Sequence, residues 1–302
     1  MVAVLLLLQS AHAHLATSEG FITTATSALS KTPANKLWYC VHRPELLVPF
    51  QNGAQAPGMP APLVVVHGGP QVPSDYLFDL AGLEDRAVIF YDQLGCGRSD
   101  APAADRSMYS VTSSIRDLRS VLRGLRINEC YHLYGQSWGG ILAATTVGTE
   151  AGIRPARVGL PRSLTLSNSP ASVALVEAEA SRLVQECDGD VGAFMARHNC
   201  MIEPQPQPIA DAYAHAGTSW RGSGVIAGVE VSEATMAQIT CPVLCLRGEH
   251  DFVTEACIEP WRKGLPAGAA RFVTIAGASH HALLEKPEAY LTELDAFLRE
   301  HD

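Results

Sequence analysis

Residues 130–147 read Cys-Tyr-His-Leu-Tyr-Gly-Gln-Ser-Trp-Gly-Gly-Ile-Leu-Ala-Ala-Thr-Thr-Val. The first five residues, Cys130 to Tyr134, form a short apolar run suited to a strand. Gly139 to Val147 is suited to a helix. Between them lies Gly135-Gln136-Ser137-Trp138-Gly139, a G-x-S-x-G turn in the strand–turn–helix context that gives the motif meaning. Glycines allow such a turn to be tight and to approach neighbouring backbone. The turn lifts the Ser137 hydroxyl to the edge of a sheet, and the following helix aims its first N–H groups at any negative charge developing there.

Outward from this stretch, strands and helices alternate. Lys36 to His42 reads as an early strand, followed by a Gly/Pro/Ala-rich loop over 51–62. Pro62 to His67 and Ala87 to Tyr91 are continuous β-branched or aromatic runs, as expected of strands buried on both faces. Val111, Ile115, Leu118, Val121, Leu122 and Leu125 recur at three and four, so 111–126 is an amphipathic helix. Ser163 to Leu166, Pro242 to Leu246 and Arg271 to Ile275 are further strands. A last helix begins at Pro287, with Tyr290, Leu291, Leu294, Phe297 and Leu298 on its apolar face. Residues 170–240 break the alternation. Helix signals over Ala171 to Cys187 give way to Glu203-Pro204-Gln205-Pro206-Gln207-Pro208 and then to Gly-rich chain. The expected architecture is a mostly parallel sheet flanked by helices (21–169 and 241–302), carrying a short helical cap (170–240).

Composition agrees with one such unit. The chain has 302 residues, 47% hydrophobic and 18% charged, enough to bury roughly 75% of the surface its unfolded form exposes. Lys plus Arg total 22 against 31 Asp plus Glu, a net charge of −9, which argues against a phosphate-backbone partner such as nucleic acid. After the first residues, no run approaches the ~20 apolar residues of a membrane span. The eight cysteines contain no CxxC pair and are expected as mostly free, partly buried thiols. Residues 1–20 read as a leader. Val2 to Leu8 is apolar and Ala11-His12-Ala13 resembles a small-x-small cleavage site, yet no Lys or Arg precedes the run. A secreted or organellar targeting peptide and an ordinary leader of a cytoplasmic protein both fit.

A serine hydroxyl needs a base, and in strand–turn–helix hydrolases the order is Ser, acid, His. His280 and His281 follow the last expected strand, in Gly277-Ala278-Ser279-His280-His281. His280 is the first choice as base and His281 the second. Asp251, in Gly248-Glu249-His250-Asp251 directly after the Pro242 strand, is the acid that would orient it. Gly69, in His67-Gly68-Gly69-Pro70, and Trp138 would offer backbone N–H groups to an oxyanion. Asp92-Gln93-Leu94-Gly95-Cys96-Gly97-Arg98-Ser99 lacks the Lys-Ser/Thr pair of a P-loop and reads as a structural turn around a buried polar network.

Together, HGGP, DQLGCGRS, GQSWGG, GEHD and GASH resemble the proline iminopeptidase family of α/β-hydrolases, which includes prolyl aminopeptidases and the tricorn-interacting aminopeptidase. The resemblance spans about residues 36 to 299. It implies the α/β-hydrolase fold, Ser137 as nucleophile, Asp251 as acid, His280 as base and HGGP as oxyanion loop. It also implies release of an N-terminal residue, often proline, from a short peptide or amino-acid amide, with no metal or organic cofactor. In that family carboxylates contributed largely by the cap hold the substrate's α-amino group. By position Glu230 is the first amine anchor and Glu203 the second. Gln71 stands where the family has Gly after HGGP, the wording around Glu230 differs, and the cap is shorter. These departures keep open an amidase or esterase with no need of a free amine. A non-catalytic binding protein on the same fold is the third reading.

Overall fold

The computed structural model describes residues 17–24, 34–54, 57–102, 108–127, 129–151, 159–217 and 226–302. Val2 to Leu8 and Ala11-His12-Ala13 lie outside the described residues, as does part of the Gly-rich end of the cap.

One sheet organises the chain. Its strands are β1 (Thr17–Thr23), β2 (Lys36–His42), β3 (Leu63–Val66), β4 (Val88–Tyr91), β5 (His132–Gln136), β6 (Ser163–Ser167), β7 (Val243–Gly248) and β8 (Ala270–Ile275). The spatial order is β1-β2-β4-β3-β5-β6-β7-β8. β1 and β2 pair antiparallel, as do β2 and β4, and every later pairing is parallel. The apolar runs are explained by burial on both faces. Along β3, Val64 and Val66 join the core on one face while Leu63 and Val65 join the other, and β4 and β7 alternate likewise.

From β3 the chain steps to β4 on one side, and from β5 onward it steps to the other. The carboxyl ends of β3 and β5 therefore flank a crevice, the place where open α/β sheets hold ligands. HGGP leaves β3 and the Ser137 turn leaves β5, so topology alone brings the two loops together.

The helices at Val111–Gly124 and Pro287–Glu300 fall where periodicity puts them. Two elements differ from the sequence reading. Residues 17–20, placed in the leader, begin β1, which pairs with β2 from Thr17–His42 to Thr23–Lys36. β1 is a mostly exposed edge strand, so it lacks the apolar alternation that marks a strand. A 3-10 helix at Ser74–Gly82 follows HGGP. Its three-residue turn does not carry the 3.6-residue period.

In the segment 170–240, helices run over Val173–Glu186, Val191–Phe194 and Gln207–Ala214. Where this segment leaves and rejoins the sheet, Ser172 and Glu230 pair antiparallel. The Val173 N–H donates to the Val229 carbonyl and the Val231 N–H to the Ala171 carbonyl, each at 2.9 Å. All eight cysteines are free, six of them buried. Among the described residues no helix is long and apolar enough to cross a membrane.

Candidate active site

The turn after β5 is tight for reasons visible in its neighbours. Ser137 sits at φ 54°, a left-handed conformation that costs a non-glycine residue of order 1–3 kcal/mol. A Cβ on Gly139 would collide with the Val66 carbonyl oxygen of β3, and one on Gly135 with the Gly139 carbonyl. The strain is held from both sides: the Ser137 N–H donates to the Ser167 carbonyl and the Ser169 hydroxyl to the Ser137 carbonyl, each at 2.9 Å. The helix Trp138–Ala151 starts immediately after.

Asp251 and His280 meet across the ends of β7 and β8, with His280 Nδ1 2.8 Å from Asp251 Oδ1. Both are buried. The carboxylate also accepts from the Val253 N–H at 2.9 Å and from Asn168 Nδ2 at 2.7 Å. Three donors thus fix its orientation, and it in turn fixes the imidazole. Phe252 packs against His280, ring centres 4.1 Å apart and ring planes tilted by 32°. The loop carrying the imidazole is docked on the 170–240 segment, because the His280 and His281 N–H groups donate to the carbonyls of His198 and Asn199.

His281 does not compete for the role of base. It is buried without a partner for Nε2. Burial, with neighbouring His280 adding to it, pushes its pKa down to about 3, so it stays neutral.

A cavity of about 330 Å³ opens over Ser137. Gly69, Trp138, His280 and Gln136 line it, with apolar walls from Ile141, Val173, Val176, Ile226 and Phe252. Gly69 is exposed in it at φ 110°, a conformation that favours glycine. The Gly68 N–H is bonded to Tyr76 Oη at 2.8 Å, and Gly69 is the residue of HGGP that lines the cavity.

The expected amine anchors are placed elsewhere. Glu230 is exposed at the seam where the cap rejoins the sheet, paired through its backbone to Ser172. Glu203 is exposed in the proline-rich stretch. Neither lines the cavity. Among the described residues, the carboxylate that does is Glu177, one turn into the helix Val173–Glu186. Position in the chain points to Glu230, whereas the helix Val173–Glu186 brings Glu177 to the cavity wall.

The Asp92–Ser99 turn is a buried polar network. Ser74 N–H and Oγ–H, and Arg98 N–H and Nε–H, all donate to the Asp92 carboxylate. Burial alone would raise the Asp92 pKa, but the Arg98 hydrogen bond and charge hold it below the ordinary range. Gln93 bridges the network to the site: its N–H donates to His67 Nε2 at 2.8 Å, and its Oε1 accepts from Trp138 Nε1 at 3.1 Å. The turn therefore supports both cavity loops from below.

This arrangement can present a hydroxyl and an oriented imidazole–carboxylate pair to a carbonyl group in an apolar cavity. Residues 63–293 match the model of an alpha/beta hydrolase family, and the chain belongs to that family. Among individual relatives it is similar to a proline iminopeptidase of Saccharolobus solfataricus, 29% identical over 272 residues, covering 78% of this chain and 84% of the relative. It is also similar to one of Levilactobacillus brevis, 28% identical over 277 residues, covering 80% and 89%. The solved proline iminopeptidase of Mycobacterium smegmatis superposes with a TM-score of 0.74 at 26% identity, over 93% of this chain and 98% of that one. An esterase from Exiguobacterium antarcticum shares the fold, with a TM-score of 0.66 at 18% identity.

Proposed function

We propose that the chain is a serine aminopeptidase that releases N-terminal proline, or another small apolar residue, from short peptides through an acyl-enzyme. The observation that carries this reading is the 2.8 Å His280–Asp251 pair beside a strained Ser137 in an apolar cavity with Glu177 in its wall. The similarity to proline iminopeptidases supports the substrate class.

In this mechanism Ser137 Oγ attacks the first carbonyl carbon of the peptide while its proton passes to His280 Nε2. Asp251 orients the imidazole and stabilises the imidazolium that forms. The Gly69 and Trp138 N–H groups receive the oxyanion; losing one such donor typically costs about 2.7–4 kcal/mol of barrier lowering. His280 then gives its proton to the leaving amine, and water repeats the sequence on the acyl-enzyme. The cavity walls take the small apolar side chain. Glu177 takes the free α-ammonium group by charge attraction at the cavity wall.

A second reading, an amidase or esterase indifferent to the amine, is favoured by one observation. Glu230 and Glu203 both stand away from the cavity, leaving Glu177 as the carboxylate within its lining. Hydrolysis of a proline arylamide, measured beside its N-acetylated twin and a short-chain nitrophenyl ester, separates the two. The aminopeptidase cleaves the free-amine substrate far faster than the blocked one, and Glu177→Gln raises its KM. Equal rates on the free and blocked amides overturn the aminopeptidase reading in favour of the second.

A further inference from the structure

Between the oxyanion loop and His280 runs a chain of buried side chains that the mechanism above does not use. The Gly68 N–H donates to Tyr76 Oη at 2.8 Å, Tyr76 Oη donates to Gln136 Oε1 at 2.7 Å, and Gln136 Nε2 lies 3.2 Å from His280 Nε2. Hydrogen-bond directions follow from the first link. A backbone N–H can only donate, so Tyr76 Oη accepts there and spends its single proton on Gln136. That oxygen contact turns the Gln136 amide so that its NH₂ faces His280. An NH₂ group has only donors to offer, so Nε2 must be the acceptor, which is the tautomer with Nδ1–H directed at Asp251. Space is tight around the relay. A Cβ on Gly68 would collide with Gln136 Oε1 and come within 3.1 Å of Tyr76 Oη.

We propose that Gln136 is a positioning residue: oriented by Tyr76, it aims a donor at His280 Nε2 and so disfavours a retained proton there. The inference rests on the assignment of His280 as the base. In the resting protein Gln136, rather than Ser137 Oγ, is the partner of Nε2. When the Ser137 proton arrives at Nε2, the imidazolium N–H faces another donor. The proton is thereby encouraged onward to the leaving amine, while Asp251 keeps its hold on Nδ1.

Other groups around His280 do not supply this effect. Asp251 acts at Nδ1. His281, with its ring centre 5.7 Å away, stays neutral. Burial pushes the Tyr76 phenol well above its ordinary range, so it remains a donor. Glu285 is engaged by the Ser279 N–H and hydroxyl. His198 and Asn199 approach through backbone carbonyls, Phe252 is apolar, and Glu177 stands in the cavity wall.

The test uses three variants of the full chain. Gln136→Ala removes the donor. Tyr76→Phe frees the Gln136 amide to turn its oxygen toward Nε2. Gln136→Glu places an acceptor there outright. The acid limb of the kcat/KM–pH profile should move to higher pH in all three. The shift should be about half to one unit for Gln136→Ala and Tyr76→Phe, a roughly three- to tenfold loss of rate on that limb, and larger for Gln136→Glu. The His280 ring is titrated in parallel by NMR in a Ser137→Ala background, where no turnover is needed. The same ordering there upholds the relay even if the aminopeptidase reading fails. An unmoved acid limb and an unmoved His280 titration in Gln136→Ala and Gln136→Glu overturn it and leave Gln136 a packing residue. Gln136→Ala keeps the test open should Tyr76→Phe not fold.

Discussion

The described residues hold two Ser–His–Asp arrays, one at each end of the sheet. At the carboxyl ends of the strands, His280 Nδ1 lies 2.8 Å from Asp251, beside Ser137. At the amino ends, His132 Nδ1 lies 2.7 Å from Ser163 Oγ and its Nε2 lies 3.0 Å from Asp302 Oδ1. By residue type and distance the lower array is the better formed. It differs in everything else. Ser163 opens a regular strand, whereas Ser137 occupies a strained turn with glycines on both sides. Ser163 and His132 are fully buried. Arg86, also fully buried, takes the lower carboxylate with NH2 at 2.9 Å from Asp302 Oδ2. Burial pushes the His132 pKa down, opposed by the Asp302 hydrogen bond, so the ring stays neutral. Asp302 would be raised by burial, but hydrogen bonds from His132 and Arg86 hold it well below the ordinary range. The lower array is thus an ion-paired brace. Three residue types do not make a reactive site; access, backbone donors and a turn that exposes the hydroxyl do.

Removing each serine in turn has the largest expected effect. Ser137→Ala should lower kcat by at least about 10⁴-fold, leaving only what oxyanion stabilisation and binding supply. Ser163→Ala should leave kcat/KM within about twofold. The carboxylates should divide in the same way. Asp251→Asn should cost about 10⁴-fold in kcat by upsetting the tautomer of His280, while Asp302→Asn should alter the denaturant midpoint and spare kcat. Removing the cation of the brace has a smaller effect, and only on stability. Arg86→Met takes the guanidinium cation from the Asp302 carboxylate and should cost about 3 kcal/mol of unfolding free energy, read from urea titration, with kcat/KM preserved.

The smallest effect concerns acid. His281 is neutral in the folded protein until about pH 3, whereas an unfolded histidine takes up its proton near 6.5. Between those values the unfolded chain binds the extra proton. Stability from this group is therefore complete above 6.5 and falls as pH drops toward 3, by about 1.4 kcal/mol per unit. His281→Leu should make urea stability less steep in pH over that window. An unchanged slope would mean the ring is accessible to protons in the folded state.

What was legible in the sequence follows from burial. β2 is found residue for residue, and β3, β4 and β7 within about two residues of each end, because strands covered on both faces must be apolar. That Ser137, Asp251 and His280 share one edge was legible because each follows the carboxyl end of a parallel strand. β1 was not, since an exposed edge strand needs no apolar pattern. Glu177 was hidden because the path of the cap, rather than its composition, decides which carboxylate reaches the cavity. Gln136 occupies the variable position of its motif, and only the Tyr76 contact from the unexpected 3-10 helix gives it a task. The lower array joins Ser163, His132 and Asp302 from three distant segments, which no spacing rule anticipates.

One measurement bears most directly on the central claim, that the upper array is the reacting one. The protein is treated with a fluorophosphonate probe and the adduct located by mass spectrometry of its peptides. Stoichiometric labelling of the peptide containing Ser137 is expected, abolished by prior heat denaturation and by Asp251→Asn, with none on Ser163. No adduct on Ser137, or labelling that persists in Ser137→Ala, would contradict it.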